Sequence, residues 1–313
     1  MLVDPGGQVQ RATGEDGTVL PSSVRRLRAA AAAAMAVSLA LVGATSSGPA
    51  LAVEVTAVET TAIAPLASVS PPSGYACRTV ALGAVTYSCV IGRSVEGRAI
   101  VAERQGNPAA NRILVVVGQM HGEEWAGPLA VDVLRTLPTP VTGDHVIWTV
   151  RTMNPDGGRL GRRLTSHRVD LNGNFPTKFT VTPTSGPRAL SEPESRAMAR
   201  FLTWVQPDLV ISLHGFSTAV DTTGGGTRAA DARAFGRLAN ISPAHPIPCG
   251  RPCTGNMTDW YTATALHGGV AFTVEMPRSS RVVTTCGVPG HRRGTTIQCA
   301  AWAAAYLAAR LPA

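Results

Sequence analysis

Four side chains of this sequence have the types that a mononuclear zinc hydrolase requires: His121, Glu124, His214 and Glu275. Zinc held by two imidazoles and one carboxylate keeps a fourth position open for water, whose pKa can fall to about 7. A second carboxylate that does not bind the metal can accept a proton from this water and pass it to a leaving amine. We therefore expect one Zn²⁺ per chain, with His121, Glu124 and His214 as ligands. Glu275 is the expected general base.

Each of these residues follows a short apolar run. One run leads through a turn to His121 and Glu124, and the other two lead directly to His214 and Glu275. Apolar runs that end at glycine or proline indicate buried strands, and the carboxyl ends of strands in open α/β sheets border the ligand crevice. The four side chains should therefore converge. The runs occupy residues 112–117, 208–213 and 269–274.

The spacing around His121 supports a shared ion. Gly118 and Gly122 flank the histidine and let the chain turn sharply off the strand. Glu124 opens a helical pattern, so it can face the same way as His121, three residues earlier. Glu123 is out of phase with both, and we expect it either to be solvated or to support the ligands.

Helical patterns alternate with the strand-like runs. They cover residues 125–137, 191–204, 229–240 and 297–311. Alternation of this kind indicates an α/β fold.

Residues 1–52 are expected to be an N-terminal extension and a secretory signal peptide. A basic segment with three arginines lies at 25–28, an uncharged apolar stretch follows at 29–42, and small residues near Ala52 offer a cleavage site. This order is typical of secretory leaders, and the apolar stretch is short for a membrane span. The alternative is an uncleaved anchor. We expect a secreted, extracellular protein without stable membrane insertion after leader cleavage.

Two further segments complete the expected organisation. Residues 53–74 consist largely of alanine, threonine, valine, serine and proline, which is typical of a flexible linker. Residues 75–313 should form the catalytic domain.

All six cysteines follow the leader, and an even number in a secreted chain indicates disulfides. Sequence proximity favours three bridges, although six cysteines allow fifteen connectivities. The competing idea is that Cys249 and Cys253 bind metal, but no second ligand pair stands at zinc-finger spacing. The favoured pairs are Cys77 with Cys89, Cys249 with Cys253, and Cys286 with Cys299.

The charge pattern argues against a nucleic-acid partner. The chain has a formal net charge of +8, but aromatic residues make up only 5% of it, so basic clusters interleaved with aromatics are missing. A solvated, arginine-rich surface is the ordinary cause of such a charge, and an anionic cell wall or an acidic substrate would also suit it. We expect a monomer.

Several motifs together resemble the zinc metallocarboxypeptidases of the carboxypeptidase A-like family, particularly the bacterial branch that trims murein peptides. The resemblance implies a single domain with a mixed, largely parallel twisted sheet and helices on both faces. It also implies a peptide or murein-peptide substrate. The matching stretches, beyond those around His121, His214 and Glu275, are 91–98, 153–157, 163–176 and 191–194.

The resemblance implies roles for three further residues. Arg163 corresponds to the arginine that polarises the scissile carbonyl and holds the developing oxyanion, although the neighbouring Arg162 is an alternative. Asn172 corresponds to an asparagine that helps to hold the terminal carboxylate of the substrate. Asp170 is expected to support the loop.

One position departs from the family pattern. Gly173 stands where the family has an arginine that binds the free C-terminal carboxylate, a function that glycine cannot perform. Another arginine, with Arg168 and Arg278 as candidates, can replace it, the substrate can lack a free terminus, or activity can be lost while the zinc site survives. The family's substrate tyrosine is also unassigned, because Trp260 and Tyr261 suit core packing equally well.

These features predict a secreted zinc-dependent metallopeptidase that hydrolyses an amide bond at or near the C-terminus of a peptide. The narrower alternative is an amidase that acts on cell-wall stem peptides. A catalytically impaired, zinc-bearing binding module is the alternative from another class, although Glu275 would have no use there. An ion pair between Glu275 and Arg278 would be the structural explanation for that carboxylate.

Overall fold

A computed structural model describes residues 70–139, 142–244, 254–278 and 283–311 of the chain. The predicted leader and most of the predicted linker lie outside the described residues, as do Cys249 and Cys253. No helix in the described ranges combines the length and the apolar character that a membrane span needs.

A nine-stranded sheet runs through the described part of the chain. Its strands are β1 Ala76–Leu82, β2 Val85–Arg93, β3 Ala99–Gly106, β4 Arg112–Val117, β5 His145–Val150, β6 Leu209–Gly215, β7 Ala219–Asp221, β8 Pro243–Ala244 and β9 Val270–Met276. In space their order is β1-β2-β3-β5-β4-β6-β9-β7-β8. The central strands β5, β4, β6 and β9 are parallel, whereas β1, β2 and β3 add antiparallel strands on one side. The expected mixed sheet is confirmed.

Helices cover both faces of the sheet. They are α1 Ala126–Leu134, α2 Pro155–Leu160, α3 Pro193–Val205, α4 Gly226–Ala239, α5 Met257–Thr264 and α6 Thr296–Ala308. One core cluster joins the sheet to α1, α4 and α6, and a second joins the opposite face to α3 and α5. The central strands are apolar along nearly their whole length because both of their faces are buried.

The sequence prediction placed His214 and Glu275 just after their strands, but they lie inside them. Strand β6 continues through His214 to Gly215, and β9 continues through Glu275 to Met276. These last residues pair with each other in parallel register, so ladder hydrogen bonds hold the backbone as far as the functional side chains. The three N-terminal strands were not identified from sequence.

Two of the three favoured disulfides join described residues, and both are confirmed. Cys77 and Cys89 join the neighbouring strands β1 and β2, where they also stand opposite each other in the ladder. Cys286 and Cys299 join α6 to a separate hairpin, which is formed by β10 Val283–Val288 and β11 His291–Thr295. Each bridge closes a short loop and restricts the unfolded chain.

Candidate metal centre

Glycine at position 122 fixes the turn that carries the first two candidate ligands. A Cβ atom at Gly122 would lie 2.0 Å from the carbonyl carbon of Gly157, so no larger residue fits there. The backbone N–H of Glu124 donates to the carbonyl of His121 over 3.0 Å and closes the turn. Close contact with α2 therefore sets the position of His121 and Glu124 beyond the end of β4.

The other candidate residues come from neighbouring strands. His214 and Glu275 are paired Cα partners in the parallel ladder of β6 and β9. Gly215 then lets Glu124 approach, because a Cβ at this position would lie 2.9 Å from Cγ of Glu124. Two strand ends and one turn thus bring residues from three parts of the chain together.

His121, Glu124 and His214 form one compact, buried donor cluster. Nδ1 of His121 lies 2.8 Å from Oε1 of Glu124 and 3.3 Å from Nδ1 of His214. Nδ1 of His214 lies 3.2 Å from Oε2 of Glu124. Donors bound at about 2.0–2.1 Å to one tetrahedral ion stand about 3.3 Å apart, which is close to these separations.

A buried carboxylate oxygen without a well-formed hydrogen bond also indicates a missing partner. Oε2 of Glu124 is buried and makes no well-aligned hydrogen bond with any described residue, although Nδ1 of His214 lies 3.2 Å away. An unsatisfied buried polar atom is costly. A cation bound at the cluster would satisfy the carboxylate oxygen, so the donor set fits zinc.

The charges in the cluster depend on each other. Burial by itself lowers the pKa of His121, but hydrogen bonds to Asp170 and Glu124 outweigh it and raise that pKa to about 9. Burial raises the pKa of Glu124, but the nearby His214 and the hydrogen bond with His121 lower it to about 2. A buried, ionised carboxylate between two imidazoles is the environment that a divalent cation stabilises.

Asp170 supports the histidine ligand, a role that the sequence did not indicate. Its Oδ1 accepts a hydrogen bond from Nε2 of His121 over 2.9 Å, which leaves Nδ1 facing the cluster. A carboxylate on the outer nitrogen of a metal-binding histidine fixes the tautomer and the ring orientation. Asp170 also caps its loop by accepting from the backbone N–H of Asn172, so the expected loop support is present too.

We expect Asp170→Asn to lower zinc affinity by about 10–100-fold, because the amide cannot stabilise the metal-binding tautomer as a carboxylate does. Competition with a chromophoric chelator measures the affinity. Asp144→Asn is a matched control, since this exposed aspartate pairs with Arg112 far from the cluster. Unchanged affinity in Asp170→Asn would contradict the supporting role.

The structure places Arg163, rather than Arg162, at the cluster. Nε of Arg163 donates to Oδ2 of Asp170 over 3.0 Å, and Nη1 lies 3.5 Å from Oε1 of Glu124. The side chain is 43% exposed, so its guanidinium can also face a ligand. Asp170 therefore orients both His121 and Arg163.

Glu275 is half-buried beside the donor cluster. Burial raises the pKa of its carboxyl, with smaller opposing effects from His214, His121 and Arg163 and a reinforcing effect from Glu124. A raised pKa suits a group that exchanges protons near neutral pH. The suggested ion pair with Arg278 is absent from the described residues, because the guanidinium of Arg278 stacks 3.9 Å from the ring centroid of Phe216.

Packing does not explain the glycine at position 173. A Cβ there would meet only Ser185, at 3.7 Å, which is an ordinary contact. Asn172 and Gly173 lie in a short 3-10 helix, Leu171–Gly173, and the Asn172 side chain has no hydrogen bond with any described residue. Arg168 lies on the exposed part of the preceding loop, with a φ of 63°. Steric crowding at Cβ therefore does not require glycine at this position, where the family pattern has a carboxylate-binding arginine.

The two aromatic candidates for substrate contact pack in the core. Tyr261 is 2% exposed, and its hydroxyl donates to the carbonyl of Pro207. Trp260 is buried against Phe175, with ring centroids 5.4 Å apart. Neither side chain faces the donor cluster as a substrate contact would.

Comparison with protein families gives a match over most of the described chain. The family model described as "Zinc carboxypeptidase" matches residues 84–285. This range includes the whole donor cluster, Asp170, Arg163 and Glu275.

Relatives found by sequence comparison agree with this match. The chain is 33% identical over 127 residues to Murein peptide amidase A of Escherichia coli (strain K12), covering 34% of this chain and 51% of that protein. It thus spans about half the length of this relative. It is 27% identical over 211 residues to Murein peptide amidase A of Vibrio campbellii (strain ATCC BAA-1116), covering 62% of this chain and 80% of that protein.

Two solved structures share the fold at low sequence identity. A murein-tripeptide amidase from Escherichia coli O157 superposes with a TM-score of 0.53 at 20% identity, covering 79% of this chain and 96% of the other. Carboxypeptidase A from Helicoverpa armigera gives a TM-score of 0.56 at 18% identity, covering 73% and 68%.

Proposed function

This chain belongs to the zinc carboxypeptidase family, and we propose that it is a zinc-dependent hydrolase that cleaves an amide bond at or near the C-terminus of a peptide. The observation that carries the proposal is the buried cluster of His121, Glu124 and His214 with Glu275 beside it. A pure binding module would have no need for a second carboxylate with a raised pKa at this position.

The candidate zinc ligands and Glu275 have different roles in the proposed reaction. Zinc held by His121, Glu124 and His214 would supply a Lewis acid that makes water a nucleophile near neutral pH. The carboxylate of Glu275 takes one proton from the attacking water and delivers it to the nitrogen of the leaving amine. Hydrolysis then yields a new carboxylate and a free amine.

Arg163 completes the arrangement in this proposal. Its guanidinium is anchored by Asp170 and partly exposed, so it can donate to the carbonyl oxygen as negative charge develops there. Asn172, with its side-chain amide free of hydrogen bonds to the described residues, is available for the substrate's amine-side end.

Amide bonds in murein-type peptides are the narrower substrate class that we propose. Two of the relatives are named as murein peptide amidases, and Gly173 removes the arginine that would demand a free terminal carboxylate. Secretion belongs to the same proposal. The leader pattern supports it, and the two disulfides fit an oxidising compartment outside the cytoplasm.

A peptide panel tests the function. We would incubate the protein with free-acid, C-terminally amidated and murein-type peptides, with and without a zinc chelator, and identify the products by mass spectrometry. We expect chelator-sensitive cleavage that includes amidated or murein-type peptides, because position 173 has no carboxylate anchor. In parallel, Gly173→Arg should shift the preference toward free acids, because it restores a guanidinium for the terminal carboxylate and a Cβ at this position meets only ordinary contacts.

The other outcomes are equally informative. Loss of single C-terminal residues from free acids only would show a strict carboxypeptidase in which another group binds the carboxylate. Absence of cleavage from zinc-loaded protein, on every peptide, would contradict the hydrolase and favour a binding role.

A further inference from the structure

Asn154 is a completely buried polar residue at the carboxyl edge of the sheet, and it has no part in the proposed chemistry. It lies between β5 and α2, in the stretch 153–157 that matches the family pattern, and it is the N-cap residue of α2. A side-chain amide is costly to bury unless its donors and its acceptor are paired. The partners of Asn154 therefore show what its amide does.

The amide nitrogen of Asn154 joins two parts of the candidate site. Its Nδ2 donates to the carbonyl oxygen of Met120 over 3.1 Å and to the carbonyl oxygen of Arg163 over 3.2 Å. Met120 directly precedes the candidate ligand His121. One side chain thus holds the backbone of the ligand-bearing turn and the backbone of the proposed oxyanion donor.

The oxygen of the same amide fixes the start of α2. Oδ1 of Asn154 accepts a hydrogen bond from the backbone N–H of Gly157 over 3.0 Å. Both partners of Nδ2 are carbonyls and the partner of Oδ1 is an N–H group, so the orientation of the amide is unambiguous. Both sides of the amide are therefore in use.

The first turn of α2 packs closely against the same two segments. A Cβ atom at Gly157 would lie 2.6 Å from Nδ2 of Asn154, and a Cβ atom at Gly122 would lie 2.0 Å from the carbonyl carbon of Gly157. The backbone N–H of Arg162 donates to the carbonyl of Gly157 over 2.9 Å. Asn154 therefore lies in a tight contact between the ligand turn, α2 and the segment that leads into Arg163.

The separation of His121 and Arg163 matters for the proposed reaction. The substrate carbonyl has to face the metal centre and the guanidinium of Arg163 at the same time, and a misplacement of about 1 Å can cost about 10²-fold in rate. Asp170 fixes the side-chain ends, because it accepts from Nε2 of His121 and from Nε of Arg163. Asn154 fixes the backbone ends of the same two residues.

We propose that Asn154 is a positioning residue that locks the ligand-bearing turn and Arg163 in one geometry. It acts through the carbonyls of Met120 and Arg163 and does not bind the substrate itself. This inference rests on the proposed function, because it assigns the effect of Asn154 on catalysis to the oxyanion donor.

Asn154→Ser tests the role in catalysis. Serine caps helices about as well as asparagine, so the start of α2 is kept, but its short hydroxyl has one donor for two separate carbonyls. In the full-length, zinc-saturated protein we expect kcat to fall by about tenfold. KM should stay close to the wild-type value, because a donor to the oxyanion acts mainly in the transition state.

Coupling to Arg163 separates a positioning role from a merely structural one. Arg163→Ala by itself should lower kcat by about 10²–10³-fold. When Asn154→Ser is added to this variant, we expect little further loss of kcat, because residues that act through one network are not additive. A further loss of about tenfold in the double variant would show independent effects and overturn the proposal.

Asn107→Ser is the matched control. Asn107 also uses both sides of its amide: Nδ2 donates to the carbonyl of Gly143 over 2.6 Å, and Oδ1 accepts from the N–H of Ala109 over 2.9 Å. It follows β3, whose last residue pairs with the beginning of β5, so it lies at the sheet edge opposite the donor cluster. This substitution should leave kcat, KM and zinc affinity unchanged.

Zinc affinity gives a readout that needs no turnover. Competition with a chromophoric chelator should show about tenfold weaker zinc binding in Asn154→Ser, because the carbonyl of Met120 then loses the bond that holds the turn before His121. If the wild-type protein cleaves no peptide, the proposed function is contradicted and this measurement alone decides the inference. Wild-type zinc affinity and wild-type kcat in folded Asn154→Ser would overturn the inference and leave the hydrolase in place.

Asn154→Asp is the second variant, for the case that the smaller serine prevents folding. Aspartate keeps the shape of asparagine and its cap oxygen, but an ionised carboxylate has no donor for either carbonyl. Circular dichroism establishes folding, and we expect the same losses of kcat and zinc affinity. Unfolding of both variants would show that Asn154 supports the fold as a whole, which would overturn a specific positioning role.

Discussion

Glu275→Gln is expected to lower kcat by about 10³-fold while the bound zinc stays at one ion per chain. Glutamine has nearly the same shape as glutamate but cannot accept a proton from the attacking water. Glu275 is the ladder partner of His214 and its side chain makes no hydrogen bond with the candidate ligands among the described residues, so the exchange leaves these ligands in place. Inductively coupled plasma mass spectrometry measures the zinc content. Steady-state kinetics on the panel peptide that is cleaved fastest measures kcat.

Glu103→Gln provides the control for this substitution. Glu103 lies on β3 and pairs with Arg135, 2.7 Å away, so it is a partly buried carboxylate outside the metal centre. Its exchange should leave kcat close to the wild-type value, because Glu103 pairs with Arg135 and contacts no candidate ligand. Substantial turnover in Glu275→Gln would show that another group takes the proton.

His214→Ala should lose most of the zinc and, with it, the activity. The change removes one of three donors and leaves two protein ligands, fewer than the three that catalytic zinc sites ordinarily use. It also leaves the buried Glu124 without one of the imidazoles that lower its pKa. We expect zinc well below one ion per chain after dialysis, with partial recovery in excess zinc.

The control is His267→Ala, because His267 is an exposed histidine in the turn before β9. Circular dichroism of both variants separates metal loss from unfolding. Stoichiometric zinc in folded His214→Ala would show that the ligand set is wrong.

Local sequence features were sufficient for the elements that carry the candidate ligands. Three short, mainly apolar runs became β4, β6 and β9, because a strand buried on both faces favours apolar residues at successive positions. The glycines at 118 and 122 indicated the turn after β4. Residue type then indicated zinc, since imidazole and carboxylate are among its preferred donors.

Sequence proximity also predicted the two described disulfides. The bridges join cysteines separated by 12 and 13 residues, and each lies in or beside a hairpin. Short separations of this kind are set by local chain geometry. By contrast, β1, β2 and β3 have mixed, partly exposed sequences whose pairing depends on the rest of the sheet.

The contacts between distant segments were decided only by the tertiary structure. His121 meets His214, 93 residues later, and Asp170, 49 residues later, and no local pattern specifies which nitrogen faces which partner. Tertiary contacts also decided the choice of Arg163 over Arg162 and the core positions of Tyr261 and Trp260. Arg163 meets Asp170 and Glu124, Tyr261 meets Pro207, and Trp260 meets Phe175. The sequence determined which residues could bind and activate a metal, because donor chemistry and strand periodicity are local properties. Their distances, charges and supporting hydrogen bonds arise only when remote segments share one buried site.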